Sequence, residues 1–414
     1  MLFRPPRTGE IWYNDAMENI CKKLDIAFWT ALAVCAAAFA RSPECVPDFL
    51  AMPGGGRAAT AADWEKSVKP VVKKFFLSQV YGTRPVARPP HLSFTAVWPD
   101  RDMVDGKAVR KRIRCEYGGK HGTNSFFFTA FIPKSAKPSP AFVLICNRKA
   151  ADNIDPERRI KSEFWPVEEM ITRGYAAIAF HNEEVAPDWN TGNTTGAFAC
   201  FENVQRPYRS KEGWGTLSAW AWAASRVMDW IETEPLLDAK HVGVVGHSRG
   251  GKTALIAGVE DERFAMACSN CSGCSGAKLN RADLPDSEHI MQIVRTFPYW
   301  FAPNYVAWVN RDAEITYDQN AWLALMAPRL VAVTSASADG WAGQRGEFEA
   351  ARLASPAWEL YGKKGLSGQQ FPAVNDPLME GSVAYHYREG KHTLCLKDWN
   401  FYMDFADRNG WRRP

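Results

Sequence analysis

The residues best placed to do chemistry stand in Gly246-His247-Ser248-Arg249-Gly250-Gly251-Lys252, a Gly-x-Ser-x-Gly string. The apolar run Val242-Gly243-Val244-Val245 precedes it, and Thr253-Ala254-Leu255 begins a helical pattern behind it. A serine on such a strand-to-helix turn is a nucleophile elbow. Small neighbours let the backbone bend there, and the new helix aims free N–H groups at any oxyanion that forms. A hydroxyl nucleophile needs a base, and the base needs an acid to orient it; in this architecture they follow in the order serine, acid, histidine. Two histidines come late enough. His386 lies inside the alternating Tyr385-His386-Tyr387, where a structural role is expected, whereas His392 follows Arg388-Glu389-Gly390-Lys391 in a loop that can lean back over Ser248. His392 is the expected base. Asp339, in Ala338-Asp339-Gly340-Trp341, is the expected acid, although an aspartate before glycine is also a common turn residue. No His-Gly-Gly string follows the apolar run 141–146, so Arg249 is expected to supply the missing oxyanion donor.

These side chains need elements to carry them. Apolar runs at Ala141–Cys146, Tyr175–Phe180, Phe264–Cys268, Arg329–Ser335 and Val383–Tyr387 read as strands, with the Ser248 strand among them. Arg110–Tyr117 and Phe126–Ile132 read as an antiparallel hairpin turning at Gly118-Gly119. Helical spacing appears at 61–79, 165–172, 214–233, 319–326 and 399–408; in 214–233, Leu217, Ala221, Ala224, Val227/Met228 and Ile231 fall on one face. Strands alternating with helices imply an α/β sandwich with a mostly parallel central sheet and an antiparallel hairpin at one edge. Two irregular segments, Asn182–Gly213 and the aromatic Asn280–Thr316, read as insertions walling a pocket at the carboxyl ends of the strands.

Composition narrows the class. With 46% hydrophobic and 23% charged residues the chain is globular, and a net charge of +4 is too small for a nucleic-acid surface. Seventeen tryptophans hint at a carbohydrate or aromatic-ligand cleft. Lys22-Lys23 before the apolar run 26–40, ending in Ala38-Phe39-Ala40, reads as a secretory signal too short to span a bilayer. Met17 makes the better start, so residues 1–40 are expected to be an over-called start plus leader, and 41–414 one catalytic domain. A secreted or periplasmic location follows, with no membrane contact beyond export. Cys268-x-x-Cys271-x-x-Cys274 has no fourth ligand at useful spacing, and no metal is expected there. Disulfide pairing among the eight cysteines after residue 40 is left open.

At this point the chain resembles the glucuronoyl esterases of carbohydrate esterase family 15, in their bacterial form. The resemblance rests on Gly246–Lys252, Ser272-Gly273-Cys274-Ser275-Gly276-Ala277, Phe297-Pro298-Tyr299-Trp300-Phe301, Ala327-Pro328-Arg329, Asp339-Gly340-Trp341-Ala342 and Gly390-Lys391-His392. It implies an α/β-hydrolase fold, with Ser248 as nucleophile, His392 as base and Arg249 as oxyanion stabiliser. Lys252, Glu288 and Trp341 match positions that contact the glucuronate ring. The implied substrate is a glucuronoxylan or lignin–carbohydrate ester, cleaved without metal or organic cofactor, and a monomer is expected. Three departures stand out. Cys271 occupies a slot where relatives often carry the acid, which passes the duty to Asp339. His247 and Thr393 replace both ends of a disulfide found in fungal members, and Asn320 replaces an expected histidine. Another carbohydrate esterase, such as a xylan deacetylase, or a catalytically silent binding module are the competing readings.

Overall fold

The computed structural model describes residues 46–205, 209–282, 284 and 286–412. The leader expected at 1–40 and Cys45 lie outside them. The strands are β1 His91–Ala96, β2 Arg101–Met103, β3 Ala108–Gly119, β4 Gly122–Pro133, β5 Ser139–Cys146, β6 Ala176–His181, β7 Leu237–His247, β8 Met266–Asn270, β9 Leu330–Ala336 and β10 Val383–Arg388. They form one sheet in the order β1-β3-β4-β6-β5-β7-β8-β9-β10, with β2 paired to β3. From β6 to β10 every neighbouring pair is parallel, and the antiparallel strands sit together at the other edge. This is the expected α/β sandwich.

Burial explains the patterning. All eight residues of β5 are buried, because the strand lies mid-sheet with cover on both faces; it therefore reads as a continuous apolar run rather than an alternation. The edge strands β1 and β2 expose much of their length, so they carry no strong apolar signal and went unpredicted. The hairpin turns later than expected. Gly118 and Gly119 are paired strand residues (Gly119 opposite Gly122), and Lys120-His121 make the turn. A Cβ at Gly119 would lie 2.5 Å from the Phe201 ring, so this glycine serves a close approach and not the bend.

The helix Thr216–Ile231 buries more than its apolar face. Every one of its residues is buried, on both faces. One side lies on the sheet and the other under surrounding segments: Ser218 Oγ donates to the Tyr81 carbonyl (2.9 Å), and the Trp222 ring meets Tyr117 edge-on at 5.0 Å and Phe201 at 5.3 Å. The tryptophans are mainly core. Trp64, Trp165, Trp214, Trp220, Trp222, Trp322, Trp358 and Trp399 are fully buried, whereas Trp98, Trp189 and Trp341 are exposed. Among the described residues no helix is long and apolar enough to cross a membrane.

Parallel β7, β8, β9 and β10 are neighbours, so the loops leaving their carboxyl ends open on the same edge of the sheet. Ser248 follows β7, Cys271 follows β8, Asp339 follows β9 and His392 follows β10. Residues scattered over nearly 150 positions are thereby gathered by topology alone.

Candidate active site

Ser248 stands between β7 and the helix Arg249–Glu260 with φ +55° and ψ −122°, a conformation that side-chain-bearing residues seldom adopt. Its N–H donates to the Asn270 carbonyl on β8 (2.8 Å), which holds the bend. Gly246 makes the turn possible. A Cβ there would lie 1.9 Å from the Gly250 carbonyl oxygen, backbone that cannot swing away. The strain is held by the packing of strand against helix.

On the next loops His392 Nδ1 and Asp339 Oδ2 are 2.5 Å apart, with Asp339 only 5% exposed and the His392 side chain 37% exposed. Ala338 N–H donates to the Gly390 carbonyl (2.8 Å), joining the two loops. Beneath them lies Arg388, buried and paired through Nε with Asp398 Oδ1 at 2.7 Å. Its Nη2 donates to the carbonyls of Lys391 and Thr393, the residues flanking His392. A buried guanidinium thus clamps the loop that carries the imidazole. His386, the other late histidine, is buried against Phe401, and desolvation pushes its pKa down to about 4.

His247 supports the same imidazole from below. Its ring centroid lies 4.4 Å from that of His392; its Nδ1 bonds Asn270 Oδ1 (2.6 Å), and Arg148 Nη2 lies 3.0 Å from its Nε2. A guanidinium can only donate, so Nε2 must accept and Nδ1 must carry the proton. Burial, with His392 and Arg148 nearby, pushes His247 well below the ordinary histidine value and keeps it neutral. His247 therefore places a neutral imidazole against His392. Thr393 contributes its carbonyl to Arg388.

Arg249 is partly exposed but held in place at its tip. Its Nη1 donates to Asp188 Oδ2 (2.5 Å), and its guanidinium lies over the rings of Trp300 (4.9 Å) and Phe297 (5.3 Å), which stack on each other at 3.8 Å. Asp188 also accepts from Trp300 Nε1 (2.8 Å). The two irregular segments noted in the sequence therefore meet as the wall behind Arg249. Asp188 was missed, since one acidic residue in an aperiodic loop carries no signal. Asn147, immediately after β5, was missed too; its side-chain oxygen is buried without a partner beside the start of the Ser248 helix.

Lys252 is 4% exposed, and its Nζ donates to the Ser272 carbonyl and to Glu288 Oε2 at 3.4 Å. Glu288 N–H donates to the Trp341 carbonyl (2.9 Å), and Trp341 is left 49% exposed. Lys252, Glu288 and Trp341 thus form one linked group. The loop after β8 is held by Glu347, fully buried, whose Oε1 accepts from the N–H groups of Ser272 (2.8 Å) and Gly273 (2.9 Å) and whose Oε2 accepts from Ser335 Oγ. Burial raises the Glu347 carboxyl to about 7. Nothing in its helical surroundings marked this residue in the sequence. Asn320 is buried with its side-chain oxygen unpartnered. Cys271 is buried, and desolvation raises its thiol well above the ordinary value. The described cysteines are all free.

A family model described as glucuronyl esterase, fungi, matches residues 122–362. A carbohydrate esterase from an unknown prokaryotic organism is 32% identical over 391 residues, covering 88% of this chain and 89% of its own length. Among solved structures, a glucuronoyl esterase from Solibacter usitatus superposes with a TM-score of 0.82 at 32% identity, covering 88% of this chain and 98% of that one. A promiscuous esterase of carbohydrate esterase family 15 from a marine bacterial metagenome gives 0.79 at 30% identity, covering 88% and 96%. Fold and relatives together define an α/β-hydrolase that is a carboxylic ester hydrolase. The chain belongs to the glucuronoyl esterases of carbohydrate esterase family 15.

Proposed function

We propose that this enzyme hydrolyses esters on the carboxyl group of glucuronic acid through a Ser248–His392–Asp339 triad with an Arg249-assisted oxyanion site. Its natural target on this reading is a 4-O-methylglucuronate side chain of xylan linked to a lignin alcohol. The observation that supports it most is the 2.5 Å contact between His392 Nδ1 and a nearly buried Asp339, on loops that share a sheet edge with a strained serine. Asp339 accepts a hydrogen bond from His392 Nδ1–H, which keeps the proton there and leaves the Nε2 lone pair to take a proton from Ser248. Ser248 Oγ then bonds to the ester carbonyl carbon. Negative charge gathers on the carbonyl oxygen, where the N-terminus of the helix Arg249–Glu260 and the Arg249 guanidinium meet it. Asp188 and the Trp300–Phe297 stack fix that guanidinium beforehand, so no reorganisation is needed as charge develops. The imidazolium passes its proton to the departing alkoxide, and a water activated by the same ring releases glucuronate from Ser248.

Lys252 and Glu288 would hydrogen-bond sugar hydroxyls, and the exposed Trp341 ring would pack on the sugar. The chemistry calls for no metal or organic cofactor. Turnover of benzyl glucuronate set against an acetylated xylo-oligosaccharide is the test. Faster deacetylation than glucuronate release would overturn the substrate assignment, and full activity in Ser248→Ala would overturn the mechanism. Export through a leader in residues 1–40 and a monomeric state belong to the same proposal; cell fractionation and sedimentation check them.

A further inference from the structure

We propose that Cys271, Asp339 and His392 form a binding site for one soft divalent cation, with zinc as the model case, and that occupancy switches the esterase off. Among the described residues these three make up the one cluster of three histidine, cysteine or carboxylate ligands, with one donor atom from each lying within 4.8 Å of the others. Neither Cys268 nor Cys274 takes part, so the cysteine run does not act as a unit. Its middle member faces the His–Asp pair instead.

The three donor atoms lie near enough for side-chain movement to bring them onto one tetrahedral zinc. Nitrogen and oxygen ligands at about 2.0–2.1 Å and sulfur at about 2.3 Å sit roughly 3.3–3.6 Å from one another around the metal. His392 Nδ1 and Asp339 Oδ2, now 2.5 Å apart, would separate by about 1 Å as the metal replaced their shared proton. Thiolate and carboxylate together neutralise the dication, and a water completes the fourth position. The Cys271 thiol proton leaves to solvent when sulfur binds. Of the three ligands only His392 is open: its side chain is 37% exposed and lines a cavity of about 490 Å³ with Phe164, Leu394 and Cys395, so the metal meets the imidazole first and gains the buried Cys271 and Asp339 as the loops shift.

Inhibition rests on the reading of His392 as the base, and it holds whichever ring nitrogen the metal takes. A metal on Nε2 occupies the lone pair that Ser248 needs. A metal on Nδ1 leaves the ring proton on Nε2, again with no lone pair for the serine. A sulfur ligand also sets the selectivity, since magnesium and calcium prefer oxygen and gain little from a thiolate.

The experiment titrates the intact enzyme with Zn²⁺, Cd²⁺ and Mg²⁺, following benzyl glucuronate turnover and its recovery on adding EDTA. In parallel, Co²⁺ binding is read from the thiolate-to-cobalt charge-transfer absorption. Expected are one bound Zn²⁺ per chain, reversible inhibition by Zn²⁺ and Cd²⁺ but not Mg²⁺, and a thiolate band that disappears in Cys271→Ala and Cys271→Ser. Those two variants should need at least about tenfold more zinc for the same fractional inhibition. Circular dichroism verifies that each variant is folded, and the metal series on the unaltered enzyme needs no variant at all. Absence of a thiolate band, or equal inhibition by Mg²⁺, overturns the site. Cys271-dependent zinc binding that leaves turnover intact overturns the switch and the assignment of His392 as the base, while the site itself stands.

Discussion

Replacing Asp339 with asparagine asks most directly whether the acid is where the loops place it. The wild-type carboxylate can only accept, so it holds the proton on His392 Nδ1 across a 2.5 Å contact and leaves Nε2 free. Asparagine does one of two things. If its NH₂ faces Nδ1, the ring must accept there and carry its proton on Nε2, so it cannot take one from Ser248. If its oxygen faces Nδ1, the tautomer is right but the negative charge is gone. On the proposed mechanism that charge stabilises the imidazolium formed at the transition state. For charge centres about 4 Å apart and an effective dielectric constant near 20, the attraction is about 4 kcal/mol. Asp339 is only 5% exposed, so bulk water screens it little. Since each 1.36 kcal/mol is tenfold, kcat should fall about a thousandfold. KM should change little, because the proposed sugar-binding group Lys252, Glu288 and Trp341 is untouched. The assay is steady-state hydrolysis of benzyl glucuronate by Asp339→Asn, with Cys271→Ala as the comparison. The cysteine variant should lose less than tenfold, since a buried thiol kept protonated is a poor acceptor. A tenfold loss or less in Asp339→Asn, or equal losses in the two variants, would refute the reasoning.

Other outcomes follow from the same contacts. Arg249→Lys should lower kcat by roughly 10²–10³ with a small effect on KM, because a lysine cannot bond Asp188, lie flat over Trp300 and face the oxyanion together. Gly246→Ala should destabilise the fold by about 3 kcal/mol or more, measured by urea unfolding, since its Cβ would lie 1.9 Å from a backbone oxygen. Glu347 sets a pH dependence of stability. Its folded pKa of about 7 lies above its value in an unfolded chain, so its proton-linked stability is complete at low pH and is lost as pH rises through about 7. Glu347→Gln should remove that decline, worth about 3 kcal/mol, so urea unfolding should show the variant gaining on wild type between pH 5 and pH 8.

Much of the fold could be read from the chain because local rules and tertiary demands agree. The buried parallel strands announce themselves as apolar runs, and the elbow serine is flagged by the glycine at 246 that its bend requires. Where the two diverge, reading failed. The edge strand β1 is half exposed and exists only through pairing with β3. The helix Thr216–Ile231 shows a periodic face, yet the segments packed over it bury the other face as well.

For the site, the linear chain determined the candidates: a serine in its elbow, an aspartate before glycine, a late histidine in a loop, and a lysine one helical turn beyond the serine. Those follow from spacing and local backbone chemistry. Only the tertiary structure decided which groups support them: Asp188 under Arg249, Arg388 clamping the His392 loop, Glu347 holding the loop after β8, and Cys271 facing the His–Asp pair. The physical reason is that a supporting hydrogen bond needs only the right donor at the right point in space. Neither periodicity nor spacing along the chain records where distant loops will meet.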